Sequence, residues 1–71
     1  MISALDDAML AAHAADDKAA LVGLYIQAAD EAADVDAACF YLTHAYVFAL
    51  ETGAPEADAL HARLKAEGRE E

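Results

Sequence analysis

Ile2, Leu5, Met9 and Ala12 recur at intervals of three and four, which puts them on one side of a helix. Ser3 followed by Asp6 resembles a capping box with Asp in the usual place of Glu, so a first helix is predicted over about 4–14. Asp16 and Asp17 suit the positive end of a second helix, over about 17–32. That helix carries apolar residues on both sides: Leu21, Leu24, Tyr25 and Ala28 on one, Val22, Ile26, Ala29 and Ala33 on the other. Asp34 is the expected cap of a third helix over about 35–52, with Asp36 in its first turn. Here too there are two stripes, Val35, Cys39, Leu42, Tyr46 and Ala49 against Phe40, His44, Val47 and Phe48, the latter flanked by Tyr41. Gly53 suits the left-handed position after a helix and Pro55 the first turn of the next, over about 55–67 with a narrow stripe of Ala57, Leu60 and Leu64. Gly68 then opens a charged tail, 68–71, expected to fray.

The pattern therefore predicts a single all-α domain, 1–71, of four short antiparallel helices. Composition agrees: there are three glycines, one proline and no asparagine, too few turn formers for a β protein. It also limits the core. Alanine accounts for 21 of the apolar residues, and 14 of the 21 larger ones fall between Leu21 and Leu50, leaving the outer helices as thin covers. A chain this short buries only about 60% of its unfolded surface. Two arrangements satisfy two central helices that are apolar on both sides. In one, the outer helices cover both outer faces. In the other, part of the face of Phe40, His44, Val47 and Phe48, with Tyr41 beside it, is exposed in the monomer and closes against a partner or a second copy.

Small residues in the middle helices carry a family resemblance. Val22-Gly23-x-x-Ile26, followed by Ala38-x-x-x-Leu42-x-x-Ala45, resembles the two halves of a tetratricopeptide repeat over about half the chain. The resemblance implies an antiparallel helical hairpin in which Gly23, Ala38 and Ala45 let backbones approach. The fourth helix then stands as the first helix of a following repeat would. Proteins of this kind bind peptides or proteins, so it also implies an interaction role.

Charge narrows the partners. The formal net charge is −10, and residues 1–62 hold eleven acids against Lys18 alone. Phosphate backbones and anionic membrane surfaces are poor partners for such a body, which leaves a protein, either a second copy or a basic one. Mimicry of nucleic acid by regularly spaced carboxylates is a further reading, but the acids gather at helix starts, where the helix dipole accounts for them. The apolar run 37–50 is short of the roughly 20 residues a membrane span needs. Asp6 and Asp7 without an early Lys or Arg are unlike a secretory signal, so a cytoplasmic location is expected.

Candidate chemistry is sparse. His44, amid Phe40, Tyr41, Val47 and Phe48, is the centre of an alternative reading as a ligand-binding or catalytic bundle. No orienting acid lies one turn away, however, and a bond to a backbone carbonyl or tyrosine hydroxyl accounts for it equally. Cys39 is the sole cysteine and lies about 140° around the helix from His44, so the two form no dyad. It reads as a small buried hydrophobe. His13 near Asp16 and Asp17, and His61 near Asp58, offer two metal ligands each at most. Neither metal nor cofactor is expected, and the predicted function is a non-enzymatic protein-interaction module, acting as homodimer or adaptor.

Overall fold

A computed structural model describes residues 4–68. Four α-helices make up the fold: α1 Ala4–Ala14, α2 Lys18–Glu31, α3 Val35–Thr52 and α4 Glu56–Ala66. No strand occurs among the described residues. Ile2 and Ser3 of the expected first cap, and residues 69–71 of the tail, lie outside them.

The caps explain the boundaries. Asp17 accepts a hydrogen bond from the backbone N–H of Ala20 at 3.2 Å, and Asp34 accepts one from Ala37 at 2.8 Å. Asp17 is thus the cap of α2, which begins one residue later than the pattern suggested. Asp16 has a different job. It lies at φ +54°, with its N–H donating to the carbonyl of His13 and the N–H of Asp17 reaching back to Ala12. This is the bonding of a Schellman motif, with aspartate in the left-handed place that glycine usually takes. Gly53, at φ +69°, closes α3 in the same way: its N–H donates to Leu50 and that of Ala54 to Ala49.

Helices pack in chain order, α1 on α2, α2 on α3 and α3 on α4, within a Cα envelope of 33 × 29 × 12 Å. That thickness is less than the roughly 13–15 Å required by two full helix layers, so the assembly is a flat, open bundle. Lys18 in the first turn of α2 pairs with Glu51 in the last turn of α3 at 3.0 Å. Arg63 of α4 pairs with Asp30 of α2 at 2.9 Å. The core takes Leu21, Val22 and Tyr25 from α2, Cys39, Leu42, Ala45 and Ala49 from α3, Leu60 and Leu64 from α4, and Ala12 from α1.

Two expectations about packing need correction. Gly23 was expected to let backbones approach, yet it is exposed, and a Cβ placed there would meet no atom within 4 Å. Of the three small residues, Ala45 is fully buried, while Ala38 is half-buried beside the α3–α4 groove. Val35 was placed on one stripe with Cys39, Leu42 and Ala49, yet they are buried and it is exposed, because it opens α3 at the mouth of that same groove, lined also by Arg63, Ala66 and Glu67.

Candidate interaction face

α3 is covered by α2 and α4 on two sides, and its third side stays bare. Phe40, Val47 and Leu50 are 58%, 46% and 58% exposed. With Thr43 between them they follow the three- and four-residue spacing of one helical ridge. Tyr41, His44 and Phe48, the other residues of the expected face, are half-buried on its flank. Of the expected face, Phe40 and Val47 are therefore open in the single chain, while its other three residues are half-buried.

Tyr25 forms the floor beside the ridge. Its ring, 9% exposed, stacks with His44 at 5.2 Å between centroids and with Phe48 at 5.7 Å, and Tyr41 lies 6.2 Å away. From α1, His13 presents its edge to the same ring at 5.9 Å and places Nε2 3.0 Å from the tyrosine hydroxyl. His13 also reaches Phe48, 6.1 Å away, so α1 touches α3 across the floor. Met9 and Leu10 extend the apolar surface along α1, Leu10 being exposed.

His13 and Tyr25 were not foreseen as partners. The sequence set His13 beside Asp16 and Asp17, but its ring turns to the tyrosine twelve residues on. His61 likewise, rather than resting on a solvated face, stacks on Tyr46 at 5.7 Å and joins α4 to α3. Leu50 and Thr43 were left off the expected face, although their spacing from Phe40 and Val47 along α3 would have found them. Leu10, Met9 and Tyr25 join the face only through packing between helices.

His44 Nδ1 lies 2.9 Å from the carbonyl of Phe40, an acceptor only, so Nδ1 carries the proton and the helix backbone orients the ring. Cys39 is buried and free. Among the described residues no group of three or more His, Cys, Asp or Glu side chains is placed to hold a metal ion. Three shallow depressions run along the face, lined by Asp6, Met9, Leu10, His13 and Tyr25, by Thr43, His44, Val47 and Phe48, and by Asp36, Cys39, Phe40, Thr43 and His44. The second and third share Thr43 and His44. Away from this face, the bond from Lys18 to Glu51 raises the lysine pKa, and the charge of Asp16 adds to the effect. No described helix is long and apolar enough to cross a membrane.

Compared with family models, curated proteins and solved structures, the chain matches none.

Proposed function

We propose that the chain is a small protein-interaction module, without enzymatic activity, that receives a partner protein on the bare side of α3 and the neighbouring surface of α1. The observation that carries this reading is the exposure of Phe40, Val47 and Leu50 along one side of one helix. In a domain with so little large apolar surface to spend, a ridge of large apolar residues left in water, broken only by Thr43, points to association. The aromatic floor beneath it supports the same reading, since aromatic side chains anchor interfaces at low cost in rotamer entropy. A ligand site centred on His44 has less support: the depressions beside it are open, and Nδ1 is engaged with the carbonyl of Phe40.

The repeat-like character of the hairpin belongs to this proposal. It is supported by the three-residue connection between α2 and α3, by Lys18 meeting Glu51, and by α4 reaching α2 through Arg63 and Asp30. The close approach at Gly23 forms no part of it.

A photo-crosslinking amino acid placed at position 40 or 47, with exposed position 59 on α4 as control, tests the reading in cells making the full chain. Protein adducts from 40 and 47 but not from 59 are expected, and their mass separates a second copy from another protein. Equal adducts at all three positions, or none, would overturn it.

A further inference from the structure

We infer that α1 exchanges between copies of the chain: the junction 15–17 straightens, α1 and α2 become one helix, and each copy's Tyr25 receives the partner's His13. The inference rests on this junction and not on the ridge of α3.

The two helix ends that turn through the left-handed region are built differently. At the end of α3, Gly53 takes the positive φ at no steric cost, and Pro55, two residues on, has no N–H with which to continue the helix. At the end of α1 the left-handed residue is Asp16, the only non-glycine at positive φ among the described residues. A side chain in that conformation is strained where glycine is not. Between residues 4 and 22 the sequence holds no glycine or proline, so nothing in 15–17 forbids a continuous helix.

Straightening loses no backbone hydrogen bond. The N–H of Asp16 donates to the carbonyl of His13 and that of Asp17 to the carbonyl of Ala12. In a continuous helix the same two donors meet the same two carbonyls with partners exchanged, Asp16 on Ala12 and Asp17 on His13. The N–H of Ala20, capped by the Asp17 carboxylate, passes to the carbonyl of Asp16. The helix so formed spans 4–31 and is about 42 Å long. Its α2 half stays anchored, since Lys18 holds Glu51 of α3.

What opposes opening in a single chain is the surface that α1 leaves. Ala12 is buried, Met9 is packed on the core, and His13 bonds Tyr25 and touches Phe48. The α1 of a second copy restores each of these contacts, because it is the same helix. Exchange therefore keeps the packing and relieves a left-handed aspartate in each copy. Association entropy and repulsion between two bodies of charge −10 stand against it. The closed monomer thus holds at micromolar concentration, and exchange appears as the concentration rises.

The test compares the parent chain with Asp16→Ala and Asp16→Gly. Both variants lose the carboxylate and its attraction for Lys18, so the difference between them reports the left-handed backbone. Alanine favours the straight helix and glycine the turn. By sedimentation from about 10 μM to 1 mM, the dimer dissociation constant is expected to fall roughly tenfold in Asp16→Ala relative to the parent and to rise by at least as much in Asp16→Gly.

Spin labels at exposed positions 7 and 27, in a Cys39→Ala background and diluted with unlabelled chain, read each copy alone. The exchanged dimer is expected to set the labels about 30 Å apart. The closed monomer holds them well short of that, since Asp6 and Tyr25 line one depression. A dimer in which the short distance persists would overturn the inference. So would a parent chain, or Asp16→Ala, that associates no more tightly than Asp16→Gly; the parent decides this even where Asp16→Ala does not fold.

Discussion

His13 Nε2 lies 3.0 Å from the hydroxyl of Tyr25, and this contact ties α1, the helix with the fewest core residues, to the centre of the molecule. Tyr25 is buried, so its hydroxyl depends on that partner. Tyr25→Phe is expected to destabilise the fold by about 0.5–1.5 kcal/mol, the net worth of one hydrogen bond. Tyr25→Ala, which also removes the ring stacked on His44 and Phe48, should cost about 3–5 kcal/mol. Urea unfolding of Tyr25→Phe, His13→Ala and the double variant checks the pairing. Non-additive losses are predicted, and strictly additive ones would show that the two side chains do not interact.

Three backbone positions give opposite predictions for similar changes. Asp16 occupies a left-handed conformation that glycine adopts without strain, so Asp16→Gly should stabilise by up to about 1 kcal/mol. Gly53→Ala, at φ +69°, should destabilise by about 1–2 kcal/mol although there is space for the methyl group. Gly23→Ala, mid-helix and exposed, should stabilise by roughly 0.5–1 kcal/mol. Thermal melts of the three variants decide each sign. A destabilised Gly23→Ala would mean that a close backbone approach exists there after all.

The pairing of Lys18 with Glu51 sets a pH dependence. Its pKa is raised from the ordinary 10.5, because the carboxylate bonds and attracts the ammonium form. The folded state thus holds the proton more tightly than the unfolded state. The pair's contribution is fully present below 10.5 and fades as pH rises through the folded pKa above it. Both side chains are exposed, so salt screens the effect and it is small. A comparison of Lys18→Gln with the parent chain across this range should give melting curves that differ slightly at neutral pH and converge at strongly alkaline pH. A gap that widens with pH would contradict the assignment.

The elements themselves were legible because capping is local. Asp17, Asp34 and Gly53 act within four residues of their own positions, and the helix limits follow from them. The two-sided pattern of α3 left open whether both stripes would be covered; Phe40 and Val47, on one of them, are exposed. What escaped was set by tertiary packing. His13 to Tyr25 and His61 to Tyr46 join different helices, and alanine-rich stripes do not specify the rotation at which helices meet. Asp16 escaped for another reason. Two adjacent aspartates at a junction read as caps for the helix that follows, although one of them closes the helix before.

A ridge on α3 kept for binding should contribute little to the fold of the single chain. Its most direct test is urea unfolding of a triple variant, Phe40→Gln, Val47→Gln and Leu50→Gln, beside the parent chain at several protein concentrations. Glutamine keeps helix propensity close to that of the residues replaced. Unfolding free energies of variant and parent are expected to agree within about 0.5 kcal/mol for each exposed site and not to change with concentration. A loss of several kcal/mol, or a parent chain whose stability rises with concentration while the variant's does not, would show that the ridge is already covered, by the core or by a second copy.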